Sequence, residues 1–382
     1  MAVYYIMLAI LLLLAGWMTF SKYKYSSLIT ALLGFLLLSY VSMNRFKIGY
    51  DYGPYAQMFQ TYGNYNFEQL STAATEKGYA VLNYFVGFFT LNYRYLFTIT
   101  SLLNMAGVCY YLYKKSTHVG LSLLVLLCFG FYYNSFNFIR QFMAAVVLLL
   151  SYQYLIKRDL AKYILFVLFA GTFHMSALIM IPFYWILHIS VTHKAMLSYA
   201  FIAAIIYLNS QSFFALITTH VYKSYNPITS IEMTIGIPVS YMIPFIITFI
   251  LAYSVRTELI EQNKENTYYI NSLACIIFFQ LIGTKHAIVS RFILLFAIPA
   301  VCLLIPSVIQ VYCMKLRKTA ILLFQEKDSD HRLSIYFKKH ALEAVFIVLI
   351  ILGCIGNHQY LLSRNYNGVV PYEIYPMQEV IE

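Results

Sequence analysis

The sequence predicts an all-α, polytopic integral membrane protein with about 12 transmembrane helices. Three observations carry this: 61% of the 382 residues are apolar, only 11% are charged, and the mean hydropathy is +0.70. No ordinary soluble domain has such a composition. The 37 Tyr and 30 Phe fit aromatic belts at both membrane interfaces. A net charge of +11 finds no soluble basic domain to carry it, so the expected partner is the lipid bilayer and no nucleic acid is expected.

Loop charge places the elements, because Lys and Arg collect on the cytoplasmic side. The N-terminal run Tyr4 to Phe20 has neither a basic leader nor a small-residue cleavage site, so it reads as a retained helix. Span one covers 3–20, and Lys22 and Lys24 put the following turn inside. Span two, 27–43, opens an outer loop, 44–94. Within that loop GYAVLNYFVGFFTL, near 78–91, is too short to cross and reads as a re-entrant or interfacial helix. Spans follow at 95–113, 119–133 and 138–156, with Lys157, Arg158 and Lys162 inside. GTFHMS breaks the segment 163–188 into a hairpin of two short spans that turns outside at His174. Span eight, 195–208, leads to an outer loop, 209–236, and spans at 237–255, 267–283, 291–312 and 341–356 complete the set. The cytoplasmic loop 313–340 carries seven Lys/Arg, and the tail 357–382 lies outside. This arrangement puts 17 of the 26 Lys/Arg inside. With no repeat or soluble segment, residues 1–382 read as a single transmembrane domain.

Cys109, Cys128, Cys275, Cys302, Cys313 and Cys354 sit in or beside apolar runs without CxxC spacing. They read as small packing residues, and neither a disulfide framework nor a metal site is expected.

The unusual polar residues fall on the outer face. FYYNSFNFIRQFMAAV (131–146) carries Asn134, Asn137, Arg140 and Gln141 between two apolar runs, and a charge at the mouth of a span is costly and usually functional. RFKIGYDYGPY brings Arg45, Asp51, Tyr52 and Tyr55; EKGYAVLN brings Glu76 and Tyr79; FHMS brings His174; TKHAIVSR brings Lys285, His286 and Arg291. Arginine grips phosphoryl oxygens through paired donors and keeps its charge, so Arg140 and Arg291, each opening a span, point to a phosphate or diphosphate. The competing reading is snorkelling at the interface. Tyr, Asn and Gln around the charges suit sugar hydroxyls and ring faces, although a lone Tyr is usually an interface anchor. Asp51, Glu76 and His174 are the candidate bases; their ordinary alternatives are pairing of Asp51 with Arg45, pairing of Glu76 with Lys77 or another base, and turn capping by His174. No Walker loop, HExxH, GxSxG or dinucleotide fingerprint occurs, and no acidic cluster suggests a metal, so no cofactor is expected.

Arg45 with IGYDYGPY, then EKGY at 76–79, NSFNFIRQFMA at 134–144, FHMSALIMIP at 173–182 and VVPY at 369–372 together resemble the EpsG family. That family is similar to Wzy-type polymerases of bacterial polysaccharide repeat units and related in architecture to C-type glycosyltransferases. The resemblance implies a multi-pass protein of the bacterial plasma (inner) membrane. It further implies polymerisation of exopolysaccharide, capsule or O-antigen units by metal-independent glycosyl transfer. The donor would be an undecaprenyl diphosphate-linked oligosaccharide, and the acceptor a sugar hydroxyl of a second lipid-linked chain. A chain-length regulator or flippase of the same pathway is the further partner it suggests. Arg140, with Arg291 and Lys285 or His286, would stabilise the diphosphate as the anomeric bond breaks, and a carboxylate or His174 would take the acceptor proton. Arg45, Tyr52, Tyr55, Tyr79, Asn134, Asn137 and Gln141 would contact substrate. Two rivals remain: a transporter or flippase for an anionic lipid-linked sugar, disfavoured by the absence of repeats and of midplane charges, and a membrane acyltransferase using His174.

Overall fold

The computed structural model describes residues 1–212, 236–325 and 332–375, and their regular structure is helical, with one isolated antiparallel bridge between Arg45 and Ile374. The chain divides into two compact units, Met1–Leu178 with Ile305–Glu382, and Ile179–Leu304.

In the first unit, α1 (Ala2–Phe20) and α2 (Ser26–Met43) are apolar runs without proline. They match the expected first two spans. The α2 helix ends where the Asn44 side chain folds back to donate to the Tyr40 carbonyl, 2.8 Å. A short helix α3 (Tyr52–Tyr62) and α4 (Lys77–Phe89) fall within residues 44–94. Asn92 caps α5 (Tyr93–Lys115), accepting from the Arg94 N–H, and Lys114 and Lys115 face the negative end of its dipole. Then come α6 (Val119–Cys128), α7 (Phe131–Asn137), α8 (Ile139–Ile156) and α9 (Leu160–Gly171).

The α6 helix packs on α1, α2 and α5, and α8 packs on α5 and α9. Leu13, Leu36 and Leu150 remain exposed on these helices, as expected where the solvent is lipid. By contrast every residue of α7 is buried. Gly130, in the left-handed region, turns the chain by 55° between α6 and α7, and Phe138 breaks it again before α8. Irregular backbone at membrane depth is tolerated only where protein covers it, and α7 meets that condition.

The second unit holds α10 (Met180–Leu187), α11 (His193–Leu208), α12 (Ile243–Ser254), α13 (Arg256–Gln262) and α14 (Asn266–Gly283). A 3-10 helix, Ala287–Leu295, and a π-helical stretch, Ile298–Leu303, follow. The last two helices, α15 (Leu304–Gln325) and α16 (Arg332–Ser363), are joined by a two-pronged Arg317–Glu343 ion pair at 2.7 and 2.9 Å. They cover much of the expected inner loop 313–340. Most of the expected loop 209–236 lies outside the described residues.

Among the described residues six helices are long and apolar enough to cross a membrane, or eight if each bent pair is one span. The expected count of 12 is not confirmed among the described residues, in part for a local reason. A 12-residue helix such as α9 rises only about 18 Å, short of a hydrocarbon core of about 30 Å. Breaks at Phe138, at 172–174 and at Val255 interrupt runs that hydropathy alone reads as continuous.

The tail returns to the first loop. Asn134 Oδ1 accepts from the Tyr366 hydroxyl at 2.9 Å and from Asn367 Nδ2 at 2.7 Å, while Asn137 Nδ2 donates to the Asn367 carbonyl at 2.6 Å. Gly49 N–H donates to the Gly368 carbonyl, Phe46 N–H to Glu373, and Tyr4 Oη to Val369. Gly49 sits at φ +96°, and a Cβ there would press on Asn137 Oδ1 at 3.0 Å, so the junction accepts no side chain.

Asn134→Ala removes the acceptor shared by Tyr366 and Asn367. Each stranded donor costs about 1–3 kcal/mol. The expected outcome is a clearly lowered thermal midpoint for the detergent-solubilised protein; an unchanged midpoint would show the tail to be loosely attached.

Candidate functional site

Glu76 is the last residue before α4, and α4 begins there because the chain turns from extended geometry at Glu76 into the helix at Lys77. Gly78 lets this turn approach the turn after α9: its N–H donates to the Thr172 carbonyl at 2.8 Å, and a Cβ would lie 2.4 Å from Thr172 Oγ1. The approach delivers Glu76 to His174. Glu76 Oε1 accepts from His174 Nδ1 at 3.0 Å and from the Met175 N–H at 3.2 Å.

From the other side comes Arg140, in the first turn of α8. A cation there faces the positive end of the helix dipole and needs a counter-ion. Glu76 supplies it: Arg140 Nη1 donates to Oε2 at 2.5 Å and to Thr75 Oγ1 at 2.9 Å, and the Thr75 hydroxyl in turn donates to Oε2 at 3.2 Å. The Tyr55 hydroxyl, on α3, lies near enough to feel the Arg140 charge. The Arg140 side chain keeps 27% exposure, His174 26% and Glu76 18%.

Burial alone would raise the Glu76 carboxyl, but the His174 hydrogen bond and the Arg140 charge outweigh it and hold the group down at about 2. Burial raises the Tyr55 hydroxyl against the pull of Arg140, so it stays protonated. The centre is therefore a charged arginine, a charged carboxylate and an imidazole in one line. Such a line can hold an anion at one end and exchange a proton at the other.

Of the residues singled out from sequence, Arg140, Glu76, His174 and Tyr55 come together. Gln141, one residue on, donates to Ser176 Oγ at 3.3 Å beside the His174 turn. Asp51 begins α3, half-buried, with its N–H on Asn137 Oδ1 at 3.2 Å and its charge felt by Tyr55. Tyr79 is fully buried and meets the Tyr55 ring edge-on at 5.9 Å. Tyr52 is stacked on Phe97 at 4.4 Å. Arg45, only 2% exposed, donates to the Ser42 carbonyl at 2.6 Å and lies between the Phe97 and Phe136 rings at 5.0 and 4.8 Å. Asn134 and Asn137 hold the tail, as described above. Lys285, His286 and Arg291 belong to the second unit: Lys285 Nζ donates to the Tyr207 carbonyl at 2.9 Å and covers its ring, His286 is half-buried, and Arg291 is exposed on the 3-10 helix. Lys77 does not pair with Glu76; it caps the preceding 3-10 turn through the Ser71 and Ala73 carbonyls. Thr75 is the member the sequence reading missed. Its only signal is its place beside Glu76.

Residues 28–325 match the EpsG family, and the match covers most of the chain. The chain belongs to the EpsG family. No curated protein and no solved structure matches it. EpsG proteins are polysaccharide polymerase-like, so a multi-pass membrane protein with a coarse polymerase role in polysaccharide biosynthesis follows. The match takes in the Glu76, Arg140 and His174 segments but not α1 or the tail that fastens Asn134 and Asn137.

Because Glu76 is held at about 2 against an ordinary 4.5, its network stabilises the fold at any pH above about 4.5. That contribution disappears as pH falls from there towards 2. Thermal midpoints across this window should fall steeply for the wild type and less for Glu76→Gln; parallel curves would remove the carboxylate from the stability argument.

Proposed function

We propose that this EpsG protein polymerises lipid-linked oligosaccharide repeat units on the outer face of the membrane. Glycosyl transfer runs from an undecaprenyl diphosphate-linked donor to a sugar hydroxyl of a lipid-linked acceptor. The observation that carries the proposal is the partly exposed Arg140 guanidinium, fixed by Glu76 and Thr75 at the start of an apolar helix. A diphosphate leaving group needs a positive charge as its anomeric carbon–oxygen bond breaks, and an arginine already held at the site by Glu76 and Thr75 supplies it. The Glu76–His174 pair beside it provides the proton acceptor for the incoming hydroxyl. The loop-charge pattern of the sequence supports an outer position for this end of α8, where a lipid-anchored sugar presents its headgroup.

In this reading Asp51 and Tyr55 meet the sugar. Arg45, Tyr52, Tyr79, Asn134 and Asn137, all enclosed, hold the loop and the α7 turn in place, and Gln141 fixes the His174 turn through Ser176. The proposal rests on the first unit alone.

Arg140→Ala should cut chain lengthening by at least about 10²-fold, the scale of losing one donor to a developing anion. Membrane levels should stay normal, and Arg140→Lys should recover only part of the rate because it lacks the fork. Purified protein in vesicles, given lipid-linked repeat units, provides the assay. Longer chains from Arg140→Ala at the wild-type rate would defeat the proposal, and lipid movement without lengthening would point to a transporter.

A further inference from the structure

Glu76 is saturated. A carboxylate offers about four lone-pair sites, and four donors occupy them: His174 Nδ1 and the Met175 N–H on Oε1, Arg140 Nη1 and the Thr75 hydroxyl on Oε2. A group whose acceptor sites are all taken has none left for a substrate hydroxyl.

The same bonds fix the tautomer of His174. Ionised Glu76 only accepts, so Nδ1 must carry the hydrogen, and in the neutral ring the lone pair then sits on Nε2. No hydrogen bond engages Nε2 among the described residues, and the side chain keeps 26% exposure. The turn that carries the ring is tied at both ends: the His174 N–H donates to the Ala170 carbonyl, and the Met175 N–H to Glu76.

We propose that His174 Nε2 is the general base of the transfer and that Glu76 is a positioning residue, which orients the ring and balances the imidazolium but never takes the substrate proton. This rests on the polymerase reading above. In the step, Nε2 takes the acceptor hydroxyl's proton and that oxygen's electron pair forms the bond to the donor's anomeric carbon. The anomeric carbon–oxygen bond breaks towards the diphosphate, whose added charge falls to Arg140, and the imidazolium then releases its proton to water. The charged group facing the pair is Arg140 from α8; beside Arg140 lies Tyr55 from α3, which in turn feels the charge of Asp51. Arg140 therefore does two things: it waits for the diphosphate and helps keep Glu76 ionised.

The test uses the full chain in vesicles with lipid-linked oligosaccharides extracted from cells lacking the gene. His174→Ala should lose about 10²-fold or more in lengthening rate and regain activity with added imidazole, which a packing histidine would not. Glu76→Gln should keep measurable activity but lower kcat with KM little changed, and Glu76→Asp should recover part of the loss, as expected of a residue that acts through the ring it orients. Thermal midpoints confirm that all three variants fold. A folded His174→Ala that lengthens chains at the wild-type rate, or stays inactive with imidazole, overturns the base role. An unchanged kcat in Glu76→Gln overturns the positioning role. No lengthening by the wild type would instead overturn the polymerase reading itself.

Discussion

Everything around the site depends on one ion pair, Arg140 with Glu76. Arg140 stands where a cation is doubly disfavoured, in the first turn of an apolar helix and against that helix's own dipole. A partner must come from outside α8, and it comes from 64 residues earlier in the chain. That single requirement brings the start of α4 beneath α8. The turn after α9 follows, because Glu76 still has an oxygen to satisfy and the His174–Met175 turn supplies both donors. Gly78 makes the approach sterically possible. The pair keeps some exposure, so solvent screens it and its net contribution to stability is modest. Its importance lies in geometry: together with the Gly78–Thr172 and Gln141–Ser176 bonds it gathers the start of α4, the start of α8 and the turn after α9.

How much of this is legible in the sequence depends on whether a residue's role is local. Arg140 stands out because its neighbours are apolar, and α1, α2, α5 and α8 follow directly from apolar runs bounded by polar turns. Asn134 and Asn137 look equally exceptional, and sequence reasoning turns them towards substrate. The structure turns them towards Asn367 and Tyr366, more than 200 positions away, and nothing near Asn134 announces that partner. Arg45 misleads in the same way. Its charge reads as an outer-face ligand, yet the rings that enclose it come from Phe97 and Phe136 on other helices. Polarity within an apolar stretch shows that a group needs a partner, not whether the partner is a substrate or the chain itself.

The number of spans is not confirmed, for a related reason. Hydropathy averages over a window, whereas the breaks at Gly130, Phe138 and 172–174 are single-residue events. In the first unit these breaks flank the site. The Phe138 break sets where α8 starts and so where Arg140 points; the 172–174 turn sets where His174 lies. Backbone interrupted in this way needs cover, and the wholly buried α7, fastened by the tail, provides it. The tail and Tyr4 lie outside the family match, yet they complete the packing of its central motif.

The saturation of Glu76 bears on how one arginine can serve two anions. In the proposed reaction a diphosphate competes with Glu76 for the Arg140 guanidinium. Were Arg140 the only support for that carboxylate, substrate binding would leave a half-buried charge unpaired, and His174 would lose its orienting partner when it is needed. Glu76 instead retains the His174, Met175 and Thr75 donors if Arg140 turns outward. Thr75, which bridges the two, keeps its hydrogen on the carboxylate as its bond from Arg140 loosens. The arrangement thus lets the guanidinium shift towards a leaving group while the imidazole stays in place, so binding the donor and activating the acceptor need not compete for the same bond.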